Sequence, residues 1–281
     1  MGSAIDLTPL DVPVLLREHG LKPNQALGQN FLLDAGALAR LTEAAAIPPG
    51  GTVLEIGPGL GSLTRHLAAA AGLVVAVEID RGLVGVLLQV LAGVENVRIL
   101  TGDILELDPA EILPAGPYQV VANIPYHITS AIFRHLLESR HKPARMLLTI
   151  QREVAERICA QPGDLSLLAL SVQVYGQPQI VLRIPAGSFY PRPKVDSSVL
   201  RVDLYPEPRI PADQLNAFFR LAKAGYSQKR KTLRNALAGG LGWSPRQVEA
   251  LLQSAEIDPQ RRAETLSLPE WGRLTAIYLN Q

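Results

Sequence analysis

Four consecutive residues, Asn123-Ile124-Pro125-Tyr126, combine groups that could hold an aminated aromatic ring. Pro125 has no backbone N–H and biases Ile124 away from helix, so the backbone carbonyls here remain free to accept hydrogen bonds. The Asn123 side chain adds a carbonyl acceptor, and Tyr126 adds a flat face for stacking. A strand that stops at a proline beside a buried tyrosine would use the same residues, so the tetrapeptide alone leaves both interpretations open.

Two carboxylates follow apolar, strand-like runs and could bind a nucleotide-like cofactor. Glu78 ends the run that begins at Leu73, about 20 residues beyond a glycine turn, where a carboxylate can accept hydrogen bonds from both ribose hydroxyls. The neighbouring Asp80 is better suited to capping the next helix. Asp103 follows the next run and could accept a hydrogen bond from an adenine amine, although Asp after glycine is also ordinary turn chemistry.

The glycine turn begins after a short apolar run and carries the pattern G-x-G-x-G at Gly57, Gly59 and Gly61. Glycines let the backbone approach a bound cofactor at positions where any Cβ would collide with it. A dinucleotide fingerprint would have its last glycine one position later. With Glu55 in front, the turn resembles the first motif of S-adenosylmethionine-dependent methyltransferases, with a dehydrogenase turn or a turn without a ligand as the alternatives.

Two basic segments could contact RNA. In the first, Phe189 and Tyr190 lie beside Arg192 and Lys194, and basic residues interleaved with aromatics suit unstacked bases and phosphates. The second places four cations at a predicted helix start, with hydroxyl and amide side chains between them that favour phosphate contacts. These cations are Lys229, Arg230, Lys231 and Arg234. A rigid loop and a solvated helix face are the alternative interpretations.

Strands and helices that alternate along the chain must position these residues, and such a series predicts a parallel sheet with right-handed crossovers. The pattern changes at residues 179–184 and 197–205, two strand-like runs with no helix between them, which predict an antiparallel edge pair. We therefore predict an α/β fold: a Rossmann-like class I methyltransferase sheet, mostly parallel, followed by a small all-helical C-terminal domain. The predicted domains are residues 1–205, with a helical lead-in over 1–46, and residues 206–281.

Composition allows one large domain with a small one beside it, since the chain has 281 residues and 47% of them are hydrophobic. Cys159 is the single cysteine, which excludes an intramolecular disulfide and fits a reducing compartment. No apolar run is long enough to span a bilayer, so we expect a soluble, cytoplasmic protein. Residues 206–281 hold 11 Lys and Arg against 7 Asp and Glu, which favours a polyanionic partner.

Taken together, these segments resemble the small-subunit ribosomal RNA adenine N6,N6-dimethyltransferase family. The resemblance runs from about Lys22 to Tyr278. The matching segments are Gly28-Gln29-Asn30-Phe31-Leu32, Glu55–Gly61, Glu78, Gly102-Asp103, Asn123–Tyr126, Phe189–Ser198, Gln228–Asn235 and Arg262–Ser267. Composition alone favours a surface loop for the first of these, and the resemblance instead predicts that this loop folds over the cofactor.

The resemblance implies that S-adenosylmethionine is the cofactor and that no metal is required. It implies cofactor contacts from Asn30, Leu32, Gly57, Glu78, Asp103 and Asn123. Asn123 and Tyr126 would then hold the target adenine, with Phe189 as the opposing stacking face. The implied partner is the RNA of the assembling small ribosomal subunit, and we expect a monomer. Two alternatives stay open: a large-subunit rRNA adenine methyltransferase of the macrolide-resistance type, and a non-catalytic ribosome assembly factor.

Overall fold

The computed structural model describes residues 5–280 and contains nine strands and twelve α-helices within that range. The strands are β1 (Phe31–Leu32), β2 (Thr52–Ile56), β3 (Leu73–Glu78), β4 (Val97–Thr101), β5 (Tyr118–Asn123), β6 (Arg145–Gln151), β7 (Gly176–Ile184), β8 (Phe189–Tyr190) and β9 (Ser197–Leu204). The helices are α1 (Val12–Glu18), α2 (Ala35–Ala45), α3 (Ser62–Ala70), α4 (Arg81–Val90), α5 (Pro109–Ile112), α6 (Thr129–Glu138), α7 (Arg152–Ile158), α8 (Leu167–Gln173), α9 (Leu215–Tyr226), α10 (Leu233–Leu241), α11 (Pro245–Ser254) and α12 (Leu268–Leu279).

Seven strands form one sheet in the order β4-β3-β2-β5-β6-β9-β7. The pairs from β4 to β6 are parallel, and β9 pairs antiparallel with β6. This arrangement confirms the predicted α/β class, in which a mostly parallel sheet ends in an antiparallel edge. Within residues 5–280, no helix has both the length and the apolar content needed to cross a bilayer.

The three central strands place the predicted site residues at one edge of the sheet. Their apolar residues are buried, as expected for parallel strands that are covered on both faces. Register pairs Val53 with Val74 and Leu54 with Val120, so the carboxyl ends of β2, β3 and β5 come together. In open α/β sheets, ligands bind beyond these carboxyl ends.

A second, two-stranded sheet joins two segments that sequence analysis treated as loops. Phe31 pairs with Tyr190 and Leu32 with Phe189 in an antiparallel arrangement of β1 and β8. The sequence pattern does not predict this pairing, because two-residue strands show no periodicity. The pairing ties the loop at residues 22–32, called the lead-in loop below, to the aromatic segment that precedes β9.

The chain divides into two compact units at boundaries that differ from the predicted ones in one respect. One unit contains the residues up to Ala155 together with Gln179–Leu204, and the other contains Glu156–Pro178 together with residues from Tyr205 onward. The predicted division lies near residue 205 and places Glu156–Pro178 in the first domain, whereas this segment belongs to the same compact unit as the residues from Tyr205 onward. Backbone hydrogen bonds explain the difference, because Gly163 and Leu165 both donate to the Glu264 carbonyl of the second unit.

The second unit is built on packing among α9, α10, α11 and α12. Trp271 of α12 is fully buried, and its ring stacks on Tyr226 with centroids 6.1 Å apart. A Cβ on Gly225 would come within 2.7 Å of the Trp271 ring, so α9 and α12 approach closely at a position where only glycine fits.

Glu270 fixes the start of α12, and its replacement by Gln should destabilise the protein. Its carboxylate accepts from Arg261 and from both the backbone and hydroxyl of Ser267. Arg261 is the main reason that the pKa of Glu270 falls to about 2. We expect Glu270→Gln to lower the free energy of unfolding at pH 7 by about 1–2 kcal/mol. Because the folded-state pKa is lowered, this difference should shrink as pH falls below about 4.5 and be lost below about 2.

Denaturant unfolding between pH 3 and pH 7 measures this difference. Glu249→Gln is the matched control, since it removes a pair with Arg234 in which the Glu249 side chain is 42% exposed. We expect a loss below about 0.5 kcal/mol for this control. A difference between wild type and Glu270→Gln that did not change with pH would contradict the assigned electrostatic role.

Candidate active site

A cavity of about 220 Å³ lies at the carboxyl ends of β2, β3 and β5. It is lined by residues from the lead-in loop, the glycine turn, the ends of β3 and β4, and the segment after β5. All six residues that were predicted to contact the cofactor are among them: Asn30, Leu32, Gly57, Glu78, Asp103 and Asn123. Tyr126, which was predicted to contact the target base, lines the same cavity.

The glycine turn needs glycine for two different reasons. Gly57 has a φ of +69°, and a Cβ added there would meet no atom within 4 Å. Since Gly57 lines the cavity, a side chain at this position would take up part of its open space. Gly59 has a φ of +58°, and a Cβ there would come within 2.9 Å of the Phe31 ring. The turn can therefore pack under the lead-in loop only without a side chain at Gly59.

Glu78 is held in place by backbone donors from the turn and from the next helix start. Its Oε2 accepts from Gly59 N at 2.9 Å, and its Oε1 accepts from Asp80 N at 2.9 Å. Burial raises the pKa of Glu78, whereas these backbone donors act in the opposite direction. Each carboxylate oxygen can accept more than one hydrogen bond, so Glu78 retains acceptor capacity for a ligand.

Asp80 caps α4, as predicted, and also anchors the lead-in loop. Its Oδ1 accepts from Gly82 N at 2.9 Å, and its Oδ2 accepts from Gln29 Nε2 at 2.7 Å. No sequence pattern indicates this contact of Gln29, although the residue lies in one of the matching segments. Asp103 Oδ1 accepts a hydrogen bond from Leu105 N at 2.9 Å within a turn. Because this bond uses only one carboxylate oxygen, the predicted turn role and the predicted binding role of Asp103 are compatible.

Asn123 has a defined amide orientation. Its Nδ2 donates to the Asn30 backbone carbonyl at 2.8 Å, and the Asn30 side chain in turn donates to Gly28 O at 3.0 Å. Because the amide nitrogen is engaged by the lead-in loop, Oδ1 is left to accept a hydrogen bond from a ligand. The loop therefore determines the orientation of the Asn123 amide.

Tyr126 begins a short 3-10 turn after β5 and is fixed at both ends. Its backbone carbonyl accepts from Thr129 Oγ1 at 2.9 Å, and its phenol shares a hydrogen bond of 2.7 Å with Ser197 Oγ. Burial raises the pKa of Tyr126, and the Ser197 hydroxyl acts in the opposite direction. The phenol is therefore protonated near neutral pH.

Phe189 does not line the cavity, although it was predicted to stack on the target base. Its side chain is 3% exposed and belongs to a buried cluster with Leu32 and Leu38. Stacking would require the ring to leave this cluster, and that role remains a prediction. The next residue, Tyr190, is 37% exposed.

Glu55 is a buried carboxyl directly below the glycine turn. Burial raises its pKa to about 8, the neighbouring Thr64 hydroxyl acts in the opposite direction, and the Glu78 carboxylate adds to the rise. Glu55 is therefore mostly protonated at pH 7. Its Oε2 atom has no hydrogen-bond partner in the described part of the chain.

The predicted RNA-binding cations are exposed with one exception. Arg192 and Lys194 are exposed after β8 in the first unit. In the second unit, three cations lie in the turn between α9 and α10 rather than in a helix, because α10 begins only after its N-cap residue Thr232. These are Lys229, Arg230 and Lys231. The exception is Arg234, which lies within α10, is partly buried and forms an ion pair with Glu249 at 3.3 Å.

Known ribosomal RNA methyltransferases are similar to this chain over nearly its whole length. A sequence profile described as ribosomal RNA adenine dimethylase matches residues 20–279. A ribosomal RNA small subunit methyltransferase A from Dehalococcoides mccartyi is 47% identical, over 94% of this chain and 91% of that protein. The protein of the same name from Moorella thermoacetica is 46% identical, over 95% of this chain and 96% of that protein.

Two solved structures share the fold over most of the chain. The 23S rRNA methyltransferase ErmE is 30% identical, with a TM-score of 0.70 over 89% of this chain and 100% of that chain. A dimethyladenosine transferase from Plasmodium falciparum is 24% identical, with a TM-score of 0.74 over 88% of this chain and 96% of that chain. The second similarity concerns the fold alone.

Proposed function

This chain belongs to the ribosomal RNA adenine dimethylase family, and we propose that it dimethylates N6 of two adjacent adenosines near the 3′ end of small-subunit ribosomal RNA. The methyl donor is S-adenosylmethionine, and the reaction takes place late in subunit assembly. The observation that carries this proposal is the Asn123 amide, which is oriented by the Asn30 carbonyl so that Oδ1 is an acceptor in the cavity.

The cavity fits an adenosine-containing cofactor. Glu78 retains acceptor capacity for ribose hydroxyls, and Asp103 has a second carboxylate oxygen for an adenine amine. Ile104 is 4% exposed and lines the same cavity, where it can pack against a ring. Gly57 leaves open space where a side chain would enter the cavity. When bound, S-adenosylmethionine supplies an activated methyl group on a good leaving group.

The residues of this chain then need only to hold and orient the target base. An adenine amine is a weak nucleophile, because its lone pair is delocalised into the ring. Asn123 Oδ1 and the Ile124 carbonyl accept from the two N–H groups of the extruded base, which localises the lone pair on nitrogen. Tyr126 stacks on the ring and holds the amine in line for attack. No general base is required, since the methylated amine can lose its proton afterwards.

The second methyl group goes onto the same nitrogen. After the first transfer only one N–H remains, so Asn123 or the Ile124 carbonyl accepts it while the methyl group takes the other direction. Between the two transfers the methylamino group must therefore rotate about the exocyclic C–N bond, or the base must leave and rebind.

Substrate assignment is tested with labelled S-adenosylmethionine and undermethylated small and large ribosomal subunits. Mass spectrometry of the digested RNA should show N6,N6-dimethyladenosine at adjacent positions near the 3′ end of the small-subunit RNA. Label only in large-subunit RNA would contradict the proposal and favour the macrolide-resistance type. Cofactor binding without transfer to either subunit would favour a non-catalytic assembly factor.

Sequence identity favours the small subunit over the large one. The relatives named as small-subunit enzymes are 46–47% identical to this chain, whereas the 23S rRNA enzyme is 30% identical. The strings Pro-Lys-Val-Asp-Ser-Ser at residues 193–198 and Lys-Arg-Lys-Thr-Leu-Arg-Asn at residues 229–235 point the same way.

The three exposed cations between α9 and α10 should contribute to RNA affinity through phosphate contacts. Replacing Lys229, Arg230 and Lys231 together with Ala should weaken binding of small-subunit RNA. The slope of log K against log salt should fall by about 2–3, since each phosphate contact in duplex contributes about 0.9. Filter binding across a salt series measures this slope.

A charge-matched control is available in the same unit. Arg220, Lys223 and Arg246 are also exposed, and their replacement with Ala removes the same net charge. An equal change of slope in both triple variants would mean that only net charge matters and that the turn is not a contact. Arg234→Ala should lower stability through the loss of Glu249 pairing, in addition to any effect on RNA.

We further propose that the protein acts as a monomer in the cytoplasm. A single cysteine suits a reducing compartment. Light scattering coupled to size-exclusion chromatography measures the oligomeric state, and a mass near 30.3 kDa is the expected result.

A further inference from the structure

The phenol of Tyr126 has one hydrogen-bond partner in the described structure, Ser197, which follows it by 71 positions in the chain. The two oxygen atoms are 2.7 Å apart, and Ser197 has no exposed surface. Ser197 does not line the cavity, so its hydroxyl cannot act on a ligand directly. Ser197 can therefore affect a ligand in the cavity only through Tyr126, whose phenol it contacts.

Ser197 is itself held by the sheet. It is the first residue of β9 and pairs with Gln151 at the end of β6. The preceding residue, Asp196, accepts from Arg152 N at 3.0 Å through its backbone and from Ala186 N at 3.0 Å through its side chain. Contacts of Ser197 and of the residue before it therefore hold the backbone that carries the hydroxyl.

The Tyr126 ring is tethered between this hydroxyl and its own backbone. The Tyr126 carbonyl accepts from Thr129 Oγ1, and Ile128 N donates to the Pro125 carbonyl at 3.3 Å. These contacts fix the main-chain end of the residue, and Ser197 fixes the phenol end. With both ends held, the ring has one orientation beside the cavity.

We propose that Ser197 is a positioning residue for methyl transfer, whose hydroxyl holds the Tyr126 ring at the angle required to stack on the target adenine. This inference rests on the proposed function, in which Tyr126 is the stacking face. Without the hydroxyl, the ring can turn about its side-chain bonds and the base loses its alignment. Small misalignments of reacting groups lower rates strongly.

Ser197→Ala should lower the single-turnover rate of methyl transfer by about three- to tenfold, the range expected for one hydrogen bond. The dissociation constant of S-adenosylmethionine should stay within about twofold of wild type, because Ser197 is outside the cavity lining. Ser198→Ala is the matched control. Ser198 is the next residue of the same strand, is equally buried, and its hydroxyl has no partner among residues 5–280. Its rate should equal that of wild type.

A double-mutant cycle separates positioning from a general loss of packing. Tyr126→Phe removes the same hydrogen bond from the other side and keeps the ring. If the two hydroxyls act through each other, Ser197→Ala, Tyr126→Phe and the double variant should all show the same rate. Multiplied losses in the double variant would overturn the proposal, as would a wild-type rate in folded Ser197→Ala. Equal losses in Ser197→Ala and Ser198→Ala would indicate packing only and would also overturn it.

The same assay keeps the two proposals distinguishable. Wild-type protein tested on small and large subunits decides the substrate, and the ratio of each variant to wild type is measured on whichever subunit accepts methyl groups. Methyl transfer to the large subunit alone would overturn the proposed function. The rates of the Ser197 and Tyr126 variants relative to wild type would then be measured on the large subunit and would still decide the role of Ser197. Absence of transfer to both subunits by wild type would overturn both proposals.

Discussion

Replacing Asn123 with Ala is expected to slow single-turnover methyl transfer by about 10²–10³-fold, the usual effect of removing one preorganised polar group that acts in the transition state. The structure explains why the loss should be large. Asn123 Nδ2 is engaged by the Asn30 carbonyl at 2.8 Å, so the amide cannot turn and Oδ1 is aimed in advance. Rapid-quench assays at saturating cofactor and RNA measure this rate.

Asn96→Ala provides a control with a similar loss of side-chain hydrogen bonds away from the cavity. Asn96 Nδ2 donates to the carbonyls of Ala68 at 2.8 Å and Ala71 at 2.9 Å, where it supports the end of α3. This variant should be less stable but should transfer methyl groups at the wild-type rate per folded molecule. A wild-type single-turnover rate for Asn123→Ala would refute the role assigned to its amide.

Replacing Gly57 with Ala should weaken cofactor binding by about 100-fold, which corresponds to about 2.7 kcal/mol. The new methyl group would project into the open space that Gly57 leaves in the cavity, where the cofactor is expected to pass close to the backbone. Equilibrium dialysis with labelled S-adenosylmethionine measures the dissociation constant directly, without dependence on RNA.

Gly93→Ala separates this steric effect from backbone strain. Gly93 has a φ of +81°, and a Cβ there would also meet nothing within 4 Å, but Gly93 does not line the cavity. Both variants should lose about 1–2 kcal/mol of stability, the cost of a left-handed conformation for Ala. Only Gly57→Ala should lose affinity, and equal affinities in the two variants would argue against a cofactor at the glycine turn.

Local sequence patterns are sufficient to predict the sheet and the residues at its edge. Apolar runs that end in Gly57, Glu78 and Asn123 predicted parallel strands, and the carboxyl ends of such strands must converge. That rule places the three residues around one cavity without any knowledge of side-chain contacts. The sequence also predicted the cap at Asp80, because an N-cap depends only on neighbouring residues.

The groups that orient the cavity residues depend on contacts between distant parts of the chain. The hydrogen bond between Asn123 and Asn30 joins residues 93 positions apart, and the one between Tyr126 and Ser197 joins residues 71 positions apart. Neither contact follows from a local sequence pattern. The same holds for the β1–β8 pairing, in which Phe189 pairs with Leu32 and is buried. The position of a residue at the end of a strand follows from local sequence spacing. The hydrogen-bond partners of its side chain depend on how distant segments pack.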